Sequence, residues 1–302
     1  MSKKEKLTDS ELLAELKFRF EQNKKALEEL KSLNEELILV NKKLEESESL
    51  KSHFVSNITN EIINPFTSIL GLSKAILSVD KENWKRVFSM VALIHAEAFS
   101  LDFQFRNIFV AAKIEAGEIY PEIFTCDIQN LVESVIDSFK YEARKKRINI
   151  KSQYSLIHKV DESFVFKTDP EKLKLILSNL LRNAINFSYE DNSVEIKVWQ
   201  TENNNLHISV KDYGIGISKE NHAIIFDRFN RLDSGINSLN RGHGLGLSVS
   251  KAIIDMLKGQ IEIESEIGEG ACFTLVIPES EEQSEGFASD ANEAFFNDSD
   301  KF

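Results

Sequence analysis

Cysteine, proline and long apolar runs are what this 302-residue sequence has least of. Its two cysteines, Cys126 and Cys272, stand far apart and outside any metal-ligand spacing. That excludes a disulfide framework and reads as buried thiols of a reducing compartment. No apolar run approaches the roughly 20 residues that cross a bilayer. The N-terminus, Met1 to Lys6, leads into charged sequence rather than an apolar signal core. The expectation is a soluble, cytoplasmic chain without membrane insertion. Basic residues are also in deficit, with 37 Lys and Arg against 49 Asp and Glu, a net charge of −12. That balance argues against nucleic acid or an anionic membrane surface as the main partner. The 42 % hydrophobic share still supplies a core, and the length suits two globular units plus a helical arm.

Proline and glycine are missing altogether between Lys3 and Asn64, so one long helix is expected from about residue 10 to 58. Leu13, Leu16, Phe20, Leu27, Leu30, Leu37 and Leu44 alternate three- and four-residue steps, which is a heptad seam. The same register puts Asn23, Asn34 and Asn41 at core positions, and an Asn at the a position favours a parallel two-stranded pairing. Two readings stand: a parallel coiled-coil homodimer, or a single amphipathic helix packed on its own domain. The register continues through Val55, Ile58 and Ile62 and places Asn60 and Glu61 off the seam, toward solvent. Pro65 predicts a kink.

A second helix is expected from about Asn83 to Glu115, on the spacing of Val87, Val91, Ile94, Ala98, Leu101, Phe105, Ile108 and Ala112. Gly117 is its stop. Two such helices joined by a short loop make a hairpin, and two hairpins make a four-helix bundle. After Pro121 the pattern is mixed α/β. Helices are expected over Ile128–Arg144, over Asp169-Pro170 to about Phe187, with Asp169 capping, and from near Gly246. Strands are expected near Ile148–Tyr154, Phe164–Lys167, Val194–Gln200, Leu206–Lys211, Gln260–Ser265 and Ala271–Ile277. The stretch from Glu279, rich in Glu, Ser, Asp and Asn, reads as a disordered acidic tail in which Phe287, Phe295 and Phe296 offer a weak docking motif.

Four short motifs carry the chemistry. Residues 178–188 read S-N-L-L-R-N-A-I-N-F-S, 212–217 read D-Y-G-I-G-I, 225–231 read I-F-D-R-F-N-R, and 242–247 read G-H-G-L-G-L. Each alone is weak, since turns are full of glycine. In this order, behind a helical hairpin that ends in K-I-E-A-G-E at 113–118, they resemble the asparagine, first glycine, phenylalanine and second glycine boxes of the sensor histidine kinase family. The resemblance covers roughly residues 50–278. It divides the chain into a coiled-coil signalling helix (1–50), a dimerization and histidine-phosphotransfer-like hairpin (51–118), a catalytic ATP-binding domain (126–278) and a tail (279–302). The fold class implied is α plus α/β, with a Bergerat-type α/β sandwich holding the nucleotide.

By that resemblance the cofactors are ATP and Mg2+. Asn183 matches the magnesium ligand, and Asn179 lies one turn before it on the same helical face. Asp212 is to accept from the adenine amino group. Gly214 and Gly216 allow a tight turn and close approach to the nucleotide. Gly242, Gly244 and Gly246, with His243, Leu245 and Leu247 between and after them, present backbone N–H groups to phosphate at a helix start. Phe226 and Phe229 are packing anchors. Arg231 and Arg241 flank a lid over about 230–241 and approach the phosphates. Two positions depart from related patterns. The water-activating Glu of the hydrolysing relatives is Asn179 here, which has no basic capacity, so transfer to a protein group fits better than simple hydrolysis. A Lys frequent near the phosphates is Asn186, which predicts weaker ATP binding rather than none.

The larger departure is in F-V-S-N-I-T-N-E-I-I-N-P-F-T-S at 54–68, which resembles the family's phosphoacceptor box. The triplet is Thr59-Asn60-Glu61, so Asn60 occupies the histidine's place. A carboxamide nitrogen is delocalised into its carbonyl and is a very poor nucleophile, so self-phosphorylation there is not expected. Among the six histidines, His53 lies seven residues upstream at the same heptad position and could be a shifted acceptor, but Phe54 rather than an acid follows it and an exposed helix histidine is the plainer reading; His95 is followed by Ala96, and His158, His207, His222 and His243 fall in the nucleotide domain. Glu61 and Asn64 still match the motif such kinases use to dephosphorylate response regulators, Asn64 holding a water in line. Simple inheritance, with Asn64 bonding near Pro65, is the competing account. Three functions remain open: a phosphorelay member with an unusual acceptor, a response-regulator phosphatase built on Glu61 and Asn64, and a non-enzymatic dimeric pseudokinase scaffold. The partners implied are a second copy, a response-regulator receiver domain or a partner histidine kinase.

Overall fold

A computed structural model describes residues 9–79, 83–155, 164–201, 203–227 and 244–281; within the first helix some side chains, including those of 46–61, lie outside that description. The chain divides into two compact units, between Val55 and Ser56. Among the described residues no helix is long and apolar enough to cross a membrane.

The first helix, α1 (Asp9–Leu77), runs through Pro65 without a break in its assignment. It therefore absorbs the expected 10–58 helix and the whole Thr59–Pro65 box in one element. In the first unit its heptad leucines are all exposed, Leu30 at 68 % among them, so nothing in that unit covers the seam.

In the second unit α2 (Trp84–Ala116) ends on Gly117, whose φ of 68° is the left-handed conformation that closes a helix at little cost for glycine. Its heptad stripe splits by burial. Val87, Ile94, Leu101 and Ile108 are half-buried, whereas Val91 and Phe105, with Trp84, Phe88 and Phe109 beside them, are exposed.

The α/β part is a two-layer sandwich. Strands β2 (Asn149–Ser155), β4 (Ser193–Gln200), β5 (Leu206–Lys211), β6 (Gln260–Glu266) and β7 (Gly270–Ile277) form a five-stranded sheet in the order β2-β4-β5-β7-β6, in which β2 and β4 are parallel and the other pairs antiparallel. Alternation does the sorting. Val194, Ile196, Val198, Ile208, Val210, Phe273 and Leu275 point into the core, and on the other face Trp199 stacks on His207 with ring centroids 5.0 Å apart. The covering helices are α3 (Ile128–Lys145), α4 (Pro170–Phe187) and α5 (Gly246–Met256). On α3 the buried side is Ile128, Val132, Val135, Ile136, Phe139 and Ala143, a helical stripe.

Two strands form a second sheet: β1 (Phe124–Asp127) pairs antiparallel with β3 (Val165–Thr168). The sequence reading did not anticipate β1, because four residues are too few to show a period. Both ends of this small sheet start helices. Asp127 Oδ1 accepts from Asn130 N at 3.1 Å to cap α3, and Asp169 Oδ1 accepts from Lys172 N at 3.0 Å to cap α4, with Pro170 in its first turn. Asp169 is 1 % exposed and its other oxygen accepts from Glu122 N at 2.8 Å, so it also ties down the segment between α2 and β1. Cys126 is buried, and burial beside Asp127 and Asp169 pushes its thiol up to about 12. Arg147 and Asp191 both hold left-handed backbone, with φ of 56° and 61°. Their side chains meet at 2.6 Å, and Glu190 joins Arg147 at 2.6 Å. The expected tail beyond residue 281 lies outside the described residues.

Candidate functional site

The site is assembled from the last turns of α4, the loop after β5 and the first turn of α5. Asp212 follows β5 directly. Its backbone N–H donates to Ala271 O at 2.8 Å, and its carboxylate accepts from Gly214 N at 3.0 Å. The side chain is 5 % exposed. Burial raises its pKa from the ordinary 3.8 to about 6, against the lowering effect of hydrogen bonding to the carboxylate by the Ala271 and Gly214 backbone and of the nearby Lys146 charge.

The glycines around Asp212 are required by backbone crowding. A Cβ on Gly214 would sit 1.9 Å from Phe187 O, and a Cβ on Gly216, at φ +67°, would sit 1.8 Å from Glu266 O. Gly270, at φ +86°, brings β7 against Asp212, where a Cβ would lie 2.1 Å from the Asp212 carbonyl. The loop is thus clamped between the end of α4 and the β6–β7 turn: Ile215 N donates to Phe187 O at 3.3 Å and Gly268 N to Ile215 O at 2.8 Å. Phe226 is half-buried and packs edge-on against Phe273 at 6.5 Å.

Helix α4 brings Asn179, Asn183 and Asn186 together, at i, i+4 and i+7. Asn183 and Asn186 are half-buried, and the Asn183 carboxamide makes no hydrogen bond to the described residues. Asn179 is different. It is 2 % exposed, and its Nδ2, with two protons, lies within hydrogen-bond reach of three acceptors: Asn107 Oδ1 on α2 at 2.9 Å, Gly246 O at 3.1 Å and Ser250 Oγ at 3.2 Å. Its Oδ1 is buried without a partner. Gly246, the first residue of α5, packs against it; a Cβ there would come within 3.2 Å of Asn179 Oδ1. Gly244 has φ +69°, Leu245 is buried, and Leu247 is half-buried.

Phe229, Arg231, Arg241, Gly242 and His243 lie outside the described residues, and so do the side chains of Asn60 and Glu61; the latter two are in α1 by backbone. Asn64, also on α1, is exposed beside the buried Pro65. Among the described residues there is no group of three His, Cys, Asp or Glu able to hold a metal. A cation here would rely on amide oxygen, for which the half-buried Asn183 carboxamide is a suitable hard ligand.

Two residues of the site were not read from the sequence. Lys146 Nζ donates to Ile185 O at 2.9 Å and also to Asn186 O. It thereby satisfies the last carbonyls of α4, whose partial negative charge suits a cation, and burial lowers its own pKa. The other is Asn107. Its signal was present but faint: Ser100, Phe103 and Asn107 form a third stripe on α2, offset from both apolar ones. That stripe meets α4. Arg182 donates to Ser100 Oγ at 2.8 Å and lies over the Phe103 ring at 4.6 Å, while Arg106 pairs with Glu171 at 3.8 Å. Phe99 and Phe103 both pack edge-on against Phe139 of α3, at 5.5 and 6.2 Å.

The family pattern described as histidine kinase-, DNA gyrase B- and HSP90-like ATPase matches residues 168–281. The chain is 31 % identical over 235 residues to the circadian input-output histidine kinase CikA of Synechococcus elongatus, covering 76 % of this chain and 30 % of that protein. It is 31 % identical over 264 residues to the sensor protein GacS of Pseudomonas syringae pv. syringae, covering 86 % of this chain and 28 % of that one. This chain thus spans under a third of the length of these two relatives. Among solved structures, full-length ShkA in complex with AMPPNP is similar in fold, with a TM-score of 0.53, 23 % identity, and coverage of 74 % of this chain and 45 % of that one.

Proposed function

Because this chain belongs to the histidine kinase family and carries its GHKL-type ATPase domain, we propose that it binds Mg-ATP in two-component signalling without phosphorylating itself at residue 60. One observation carries this reading: Asn60 interrupts the Thr59–Pro65 box, while the described parts of the nucleotide site are built and packed. The adenine is read by Asp212, whose buried carboxylate accepts from the exocyclic amine. Phosphates meet the start of α5 at Gly244–Leu247, where unpaired backbone N–H groups and the helix dipole favour an anion. Asn183 offers its carboxamide oxygen to Mg2+, which when bound neutralises phosphate charge. Arg231, Arg241, Gly242, His243 and Phe229 complete the lid side. Asn186 contributes no cation, and Mg-ATP affinity is accordingly low. Partnering follows from the surfaces: the exposed leucines of α1, and Val91, Phe105 and Phe109 of α2, are covered in a homodimer built by coiled coil and four-helix bundle.

Asn60→His tests the proposal. The wild-type chain incubated with labelled ATP acquires no acid-labile phosphate, and the variant acquires it at residue 60. Wild-type protein that labels itself overturns the reading, as does wild-type protein that fails to bind Mg-ATP.

The exposure of Asn64 favours a second reading alongside the first. Ile63 and Phe66, also exposed, supply an apolar footing for a receiver domain around it. In that reading Glu61 and Asn64 accelerate decay of a phospho-aspartate, and Asn64→Ala abolishes the acceleration. Unchanged decay in that variant removes the mechanism.

A further inference from the structure

Helix α2 belongs to the hairpin, yet one of its side chains reaches the middle of α4. Asn107 is 4 % exposed, and its Nδ2 donates to the α2 carbonyl of Phe103 at 3.0 Å. That bond decides which way the carboxamide faces. With nitrogen on Phe103 O, the oxygen must point at Asn179, and Asn179 must answer with its own nitrogen, at 2.9 Å. The two remaining acceptors around Asn179 Nδ2, Gly246 O and Ser250 Oγ, agree with that orientation. The consequence is that Asn179 Oδ1 is left as a buried acceptor with no partner. An orphan of this kind is costly and is rarely retained without a use. The side facing it is Gly246, where a Cβ would crowd that oxygen at 3.2 Å.

We propose that Asn107 is a positioning residue of the nucleotide site: it fixes the Asn179 carboxamide so that Oδ1 stands ready for a donor arriving with the Mg-nucleotide. The chemistry that fits is a water of hydrated Mg2+, an ion that keeps several of its waters when bound. The proposal rests on the reading of this site as one for Mg-ATP. It adds that the hairpin sets the metal dependence of binding through one hydrogen bond, separately from the packing of α2 against α4.

The test is calorimetric titration of the full chain with ATP, in Mg2+ and in EDTA. Asn107→Leu removes both polar atoms at similar volume. Affinity for Mg-ATP is expected to fall about tenfold, while affinity for metal-free ATP stays within about twofold. Asn107→Asp keeps an acceptor toward Asn179 and is expected to bind Mg-ATP within about threefold of wild type. Ser100→Ala loosens the same seam without touching the relay and is expected to leave both affinities within about twofold. The proposal is overturned if Asn107→Leu binds Mg-ATP like wild type, if it loses both forms equally, or if Ser100→Ala reproduces its effect. Should Asn107→Leu not fold, the Asp variant carries the test, and a tenfold loss in it overturns the relay. Wild-type protein that binds ATP in neither condition overturns the nucleotide reading and this proposal with it.

Discussion

Asp212→Asn is expected to make the nucleotide-free protein more stable and its nucleotide binding weaker. In the folded state the Asp212 carboxyl has its pKa raised from 3.8 to about 6, chiefly by burial. A folded value above the unfolded one means the native state holds the proton more tightly. The stability tied to the protonated form is fully present below pH 3.8 and is lost as pH rises through about 6. A rise of this size corresponds to about 3 kcal/mol above that window. An Asn mimics the protonated form and still accepts from Gly214 N, but its NH2 needs a partner, so the net gain is about 1–3 kcal/mol. For a domain of this size that raises Tm by several degrees, about 2–4 °C for each kcal/mol. Thermal melts of both proteins without nucleotide, at pH steps from 5 to 8, check it. The difference should already be about half its plateau near pH 5 and reach that plateau above about pH 6.5. Nucleotide affinity of the wild type should move the other way, falling as pH drops through about 6 because the adenine amine needs an ionised acceptor. A variant that melts below wild type at pH 7.5, or a difference that does not change with pH, would refute the reasoning.

Asp169→Ala removes the cap of α4 and the acceptor for Glu122 N, and should cost about 2–4 kcal/mol in chemical denaturation; Asp169→Asn, which retains capping ability, should cost clearly less. Gly216→Ala places a methyl 1.8 Å from Glu266 O on left-handed backbone, so it should destabilise the ATPase domain by more than about 2 kcal/mol, read as a loss in Tm. Leu30→Glu puts a charge on the exposed heptad seam, and sedimentation should show a shift toward monomer with little change in the melting of the α/β part.

The local elements were legible because their signals are local. Asp169-Pro170 announced the start of α4, Gly117 the end of α2, and the alternation in Val194–Gln200 and Leu206–Lys211 produced β4 and β5 within a residue or two. Helix α1 was read short, to about residue 58 with a kink expected at Pro65, whereas it runs on to Leu77. Strand β1 was missed, since its partner β3 lies 40 residues away and nothing within F-T-C-D reveals the pairing. The site divides the same way. Gly214 and Gly216 were legible as a tight turn after β5, but the demand for glycine there comes from Phe187 and Glu266, which no local pattern names. Asn107 and Lys146 were illegible for the same reason. Each acts on α4 from another helix, 72 and about 40 positions distant, and only the packing of α2 and α3 on that helix brings them together.

The aromatic seam has a practical side for anyone trimming the chain. Phe139 is 1 % exposed, and two of its neighbours, Phe99 and Phe103, come from α2. A fragment beginning near Glu118 retains the family's ATPase residues and loses that cover. The freshly bared Phe139 of α3, beside the stranded amide of Asn179 and the guanidinium of Arg182 on α4, makes a greasy spot where α2 had packed. Such a fragment would self-associate in the test tube for reasons that have nothing to do with signalling.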